Sequence, residues 1–202
     1  MKRFLFLYPI YEYVDREITN TPDDLLIIER LNEIIDVRYR QLGYQINWLL
    51  FSIENNPNII DLSIIDHRIG IYKTDRIIPA GLSRKRHREY NYPSSRRILA
   101  QIDYASELVI GGFHQTDCVE KIASTAYNNG TIVTVDEDTT DQFFKMAGLQ
   151  QLPPVTRTRE EYASSFRALL ENMGDVFSQK MIDRIVQDHR VERMKKPWLA
   201  QI

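Results

Sequence analysis

Four short apolar runs constrain this chain more than any other feature: RFLFLY at residues 3–8, INWLLF at 46–51, ELVIG at 107–111 and TIVTV at 131–135. None shows the three- and four-residue spacing of a helix face, and each has the length of a buried strand. Between the first two lies a helix signal. Leu25, Ile28, Leu31, Ile35, Tyr39 and Leu42 recur at three- and four-residue steps. Thr21 can cap that helix, Pro22 suits its first position, and Asp23 and Asp24 suit the positive end of its dipole. Gly43 ends it. Strand, helix, strand in the first fifty residues is a βαβ unit, with parallel strands and a right-handed crossover.

The alternation continues. Residues 55–58 (NNPN) form a turn, and residues 59–78 predict a third strand with a short extra pair. Residues 79–93 read as a loop with a basic centre, SRKRHRE at 83–89. Helices are predicted at 94–104, 117–128 and 139–148, and two more at 158–173 and 178–194. The implied architecture is a three-layer, Rossmann-like α/β fold with a mostly parallel central sheet of five or six strands. Pro153 and Pro154 divide an α/β domain, 1–152, from a helical C-terminal extension, 153–202. In the extension, Tyr162, Phe166, Leu169 and Leu170 make an apolar stripe that packs on its own domain or on a second copy.

The chain has 202 residues and a formal net charge of −2, which gives no reason to expect a nucleic-acid or membrane partner. No apolar stretch approaches the roughly 20 residues that cross a bilayer. The basic start MKR is followed by a short apolar run without a small-residue cleavage site, so it is not read as a signal peptide. One cysteine forms no internal disulfide. A reducing, cytoplasmic setting is the expectation.

That cysteine, Cys118, follows the third run. Gly111 and Gly112 break the run, and Cys118 stands at the start of a helix rich in small residues. In open parallel sheets ligands gather at the carboxyl ends of strands. A helix N-terminus offers free N–H groups and partial positive charge, which favour a thiolate. The alternative is a buried, inert thiol, since free cysteine is among the most buried residue types.

The stretch from Gly112 to Gly130 resembles the isochorismatase-like cysteine hydrolases, the group that includes nicotinamidases. The matching residues are Gly112, Cys118, Val119, Thr125, Ala126 and Gly130, with Asp136 or Asp138 near the end. The resemblance implies a Cys–Lys–Asp catalytic group that attacks a carbonyl or imine-like carbon. Cys118 is then the nucleophile and Lys85 the electrostatic partner, with Lys73 as its rival. The N–H groups of His114 and Cys118 are the oxyanion donors, and the peptide bond from Phe113 to His114 is cis. It also implies a homo-oligomer.

This sequence departs from the pattern at the first strand. The aspartate position is Tyr8, and the glutamine two residues later is Ile10. Neutral tyrosine is a poor base at neutral pH. Glu12 and Asp15 replace the aspartate only if the chain folds back on the pocket. Tyr8, Glu12, Gln115 and Phe113 are the further pocket candidates. Asp66–His67 lacks a metal-ligand spacing, and the acidic run Asp136, Glu137, Asp138 reads as a helix N-terminal cluster, so neither a metal nor another cofactor is expected.

Three readings follow. The first is a cysteine hydrolase of a small amide or related C–N bond, acting on a small-molecule substrate that the basic loop would suit to an anionic group. The second is a member that has lost catalysis and serves as a ligand-binding or assembly protein. The third is an anion- or nucleotide-binding module built on the basic loop.

Overall fold

The computed structural model describes residues 1–18, 24–103, 105–148, 152–172 and 177–202. The expected capping residues Thr21, Pro22 and Asp23 lie outside them. The chain divides into two compact units, Met1–Thr156 and Arg157–Ile202.

The first unit is built on a five-stranded sheet: β1 (Lys2–Leu7), β2 (Gln45–Leu50), β3 (Arg76–Pro79), β4 (Glu107–Gly112) and β5 (Ile132–Thr140). The strand order is β3-β2-β1-β4-β5, and every neighbouring pair is parallel. The apolar runs are strands for the reason their composition suggests. Phe4 to Leu7 and Trp48 to Leu50 are wholly buried, as expected of strands covered on both faces.

The helices are α1 (Tyr11–Ile18), α2 (Asp24–Ile35), α3 (Arg84–Arg88), α4 (Ser95–Gln101), α5 (Glu120–Asn128) and α6 (Asp141–Gly148). Crossovers from β1 to β2 and from β4 to β5 run in opposite directions across the sheet. Right-handedness therefore puts their helices on opposite faces. Helices α1, α2 and α6 pack together, and α4 packs with α5.

Two glycines let the central strands meet. A Cβ on Gly112, at φ +101°, would lie 2.3 Å from the Leu7 backbone nitrogen. A Cβ on Gly111 would lie 2.2 Å from Thr139 Oγ1. The Gly-Gly pair is thus the condition for β4 to sit between β1 and β5.

Several elements differ from expectation. Helix α1 is additional; Ile10, Tyr13, Val14 and Ile18 share a face and are buried. The periodic helix ends its regular part at Ile35 and continues as a wider π-type turn, Asp36–Arg40. No extra strand pair forms at 59–78, where a 3-10 turn, Leu62–Ile64, and two isolated bridges stand. The basic loop contains α3. Strand β5 runs five residues past Val135, so Asp136, Glu137 and Asp138 lie in a strand, not at a helix start. Arg38 holds Asp136 and Asp138 at 3.1 and 3.0 Å, and Gln115 Nε2 donates to Glu137 at 2.9 Å.

The second unit is a pair of packed helices, α7 (Arg159–Asn172) and α8 (Gln179–Arg193). Leu170 and Ile182 are buried, the Phe166 ring meets Tyr162 and His189, and Arg193 donates to the Ala200 carbonyl at 2.7 Å.

Candidate active site

The direction in which successive strands are added reverses between β1 and β4, because β1 continues to β2 on one side and β4 to β5 on the other. Open α/β sheets bind ligands at such a point, beyond the carboxyl ends of the strands. Here both strands leave the sheet through a left-handed residue: Tyr8 at φ +60° and His114 at φ +64°. For a tyrosine this conformation is uncommon, and strain of this kind, about 1–3 kcal/mol per residue, clusters at functional sites.

Cys118 sits in a π-type turn, Gln115–Val119, that leads into α5. It is 1% exposed. Its Sγ lies 3.2 Å from His87 Nε2 and 3.8 Å from the Tyr8 hydroxyl. His87 Nδ1 lies 3.4 Å from the Tyr13 hydroxyl. A neutral imidazole that accepts the thiol proton at Nε2 carries its own proton on Nδ1, facing Tyr13. The surroundings are aromatic: Phe51 stacks on Tyr8, and Phe51 and His114 both pack on the His87 ring.

This setting disfavours charge. Burial pushes the Cys118 thiol up to about 11, against a smaller opposing effect of the Tyr8 hydrogen bond. Burial also lowers the His87 imidazole to about 4, helped by His114. Burial and the Cys118 charge push Tyr8 well above its usual value, and burial takes Tyr13 to about 12. At neutral pH the resting pair is therefore thiol and neutral imidazole, not thiolate and imidazolium.

The expected site residues scatter around this pair. Lys85 does not reach the thiol; its side chain is 67% exposed and its Nζ pairs with Glu54 at 3.2 Å. Lys73 is exposed as well. The reason is local: α3 turns His87, two residues on from Lys85, toward the sheet. Glu12 binds Arg84 and Arg88. Asp15 binds Arg68, as does Asp66. Gln115 is buried between Glu137 and Thr140, and Phe113 stacks on Phe144.

The His114 N–H is already engaged. It donates to the Asp141 carboxylate at 3.0 Å, and the Gln115 N–H donates to the same carboxylate at 3.2 Å. The Phe113–His114 bond is trans, and the backbone departure lies in φ of His114. In the basic run, Arg84, Lys85 and Arg88 each pair with a carboxylate.

His87 is the residue that sequence reading missed. It lies among four Lys and Arg residues, a setting that reads as solvated surface. The only signal was its nearness to the position expected of Lys85.

No family model matches the sequence, and no curated protein sequence matches it. Solved structures do. N-carbamoylsarcosine amidase from Thermoplasma acidophilum superposes with a TM-score of 0.50 at 14% identity, over 78% of this chain and 99% of that one. Pyrazinamidase of Pyrococcus horikoshii, solved in complex with zinc, gives 0.49 at 14% over 74% and 92%. An isochorismatase-like hydrolase from Alkaliphilus metalliredigens gives 0.47 at 16% over 77% and 95%. The chain has a divergent isochorismatase-like α/β fold. No helix among the described residues is long and apolar enough to cross a membrane.

Proposed function

We propose that the protein is a cysteine hydrolase of a small amide or related C–N bond, with Cys118 as nucleophile and His87 as its base. One observation carries this reading: Cys118 Sγ lies 3.2 Å from His87 Nε2, whose other nitrogen faces Tyr13. Nucleophile, base and orienting group in a row is the arrangement nucleophilic catalysis requires. The amidase likeness in fold supports the substrate class by analogy only.

The chemistry runs from a neutral pair. His87 Nε2 takes the thiol proton as Sγ bonds to the carbonyl carbon. The C–N bond then breaks, and the imidazolium returns its proton to the leaving nitrogen. Water, deprotonated by the same imidazole, hydrolyses the thioester and frees the acid and the thiol. Tyr8 donates toward Sγ, which steadies the departing thiolate. The substrate is a small molecule, and a free thiol of this kind suits a reducing compartment.

The test is alkylation of native Cys118 by iodoacetamide at pH 7. Replacing the base, His87→Gln, is expected to slow it by roughly 10²–10⁴. Equal rates in the two proteins would remove His87 from the mechanism.

One observation favours a second reading, a binding protein without turnover. The Asp141 carboxylate occupies the His114 and Gln115 N–H groups, where a substrate oxyanion would be held. A screen of small amides for ammonia release, with Cys118→Ser as control, separates the two readings. Cys118-dependent release supports the hydrolase, and tight binding without release supports the alternative.

A further inference from the structure

The base of the proposed mechanism rides on α3, a five-residue helix with no buried side chain. Its one inward side chain is His87 itself, a half-buried ring against Phe51 and Tyr8, so little other apolar burial fixes it. Its own cap is modest: Ser83 Oγ accepts from the Arg86 N–H at 3.4 Å. The firmer hold comes from α1. The Arg84 Nη1 and Arg88 Nη2 atoms, one turn apart, close on the two separate oxygens of Glu12. The next residue of α1, Tyr13, meets His87 Nδ1. Two adjacent residues of α1 thus grip three residues of α3, and His87 is the one that faces inward.

We infer that Glu12 is a positioning residue, which holds the His87 imidazole against Cys118 by clamping Arg84 and Arg88. This rests on the reading of His87 as the base. Glu12 touches neither reacting atom. It sets how often α3 is docked, and so how often the base is in reach. Part-exposed ion pairs contribute little to global stability. A five-residue helix held inward by one half-buried ring is different, because the same small effect is a large share of what holds it. Loss of both pairs lowers the docked fraction relative to the undocked by roughly tenfold.

Titration of His87 reads this directly. In its docked position it faces Tyr13 from α1, Tyr8 just after β1, Tyr92 after α3, His114, Asp117 and Cys118 after β4, and Lys121 from α5. The imidazolium cannot form easily there. Undocked, the ring meets water and titrates near its ordinary value of about 6.5. A tenfold loss of docking therefore raises the midpoint by up to about one pH unit. Direct electrostatics has the opposite sign. Removing the Glu12 carboxylate disfavours a nearby cation and would lower the midpoint. An upward shift can only report release.

The experiment is imidazole NMR of the full chain as a function of pH, with His87 assigned by His87→Gln. Glu12→Gln is expected to raise the His87 midpoint by up to about one unit, leave exposed His67 unmoved, and change Tm by no more than about 2 °C. The pair Arg84→Gln with Arg88→Gln is expected to raise it as well, and adding Glu12→Gln to that pair to shift it no further. A His87 midpoint that is unchanged or lower in Glu12→Gln overturns the clamp. So does a shift that adds to that of the arginine pair. Neither result bears on catalysis, which stands or falls on the alkylation rate of the His87→Gln protein.

Discussion

His87 Nε2 and Cys118 Sγ meet at 3.2 Å across 31 residues of sequence, in surroundings that keep both groups uncharged. A buried thiol without a base reacts only as its rare thiolate. A thiol beside a neutral imidazole reacts over the whole range in which that imidazole is free to accept a proton.

The pH profile of Cys118 alkylation therefore has a defined shape. Protonation of His87 near pH 4 ends the assisted reaction at the acid side. Ionisation of the thiol itself near pH 11 adds a second rise at the alkaline side. Between them the rate is expected to be flat. In His87→Gln the plateau is expected to vanish, leaving a rate that falls about tenfold per pH unit below 11. A native profile that already falls tenfold per unit would show that the thiol has no base.

The same imidazole couples folding to acid. Its pKa is lowered in the folded protein, so the unfolded chain binds the proton first. Stability is full above about pH 6.5, falls as pH drops from there towards 4, and levels off below. The half-buried ring limits the loss to on the order of 2 kcal/mol, or roughly 4–8 °C in Tm for a chain this long. His87→Gln is expected to show a smaller decline over that window. Calorimetry at pH 7, 5.5 and 4 measures it, and parallel slopes in the two proteins would contradict it.

The glycines of β4 give a stability test independent of the chemistry. Gly112→Ala combines a positive φ with a Cβ 2.3 Å from the Leu7 backbone, which cannot rotate away. Strain and overpacking together predict a loss of about 2–6 kcal/mol. Gly130, at φ +79° with nothing within 4 Å of an added Cβ, is the control. Gly130→Ala should cost only about 1–2 kcal/mol. Urea unfolding orders the two, and equal midpoints would mean that β1 and β4 can part without loss.

The sheet was legible in the sequence because strand identity here is a matter of composition: Phe4 to Leu7 and Trp48 to Leu50 have no polar face to hide. The position of Cys118 was legible for a similar reason, since Gly111 and Gly112 mark where the chain leaves β4. Its partner was not. His87 reaches the thiol only because α3 folds back on α1, and that depends on Glu12 meeting two arginines more than seventy residues away. Local pattern carries no record of such a contact. The acidic run at 136–138 misled in the same way. Its charges face Arg38 and Gln115, from distant parts of the chain, and leave β5 free to continue as a strand.

Asp141 offers the last test, and it bears on both functional readings. Its carboxylate accepts from the His114 and Gln115 N–H groups, which lie at the start of the turn that carries Cys118. Asp141→Ala leaves those donors without their charged acceptor, at an expected cost of about 1.5–3 kcal/mol. The two aligned N–H groups then form a vacant anion site beside the thiol. Acetate or formate, in the tens of millimolar, is expected to restore part of the lost Tm in Asp141→Ala and to leave the wild type unchanged, as mass action requires of a ligand that binds only the folded variant. If the carboxylates rescue the variant, the donor pair can hold an oxyanion once Asp141 moves aside, which is what turnover at Cys118 needs. If they do not, the pair is a structural tie between β4 and α6, and the non-catalytic reading gains.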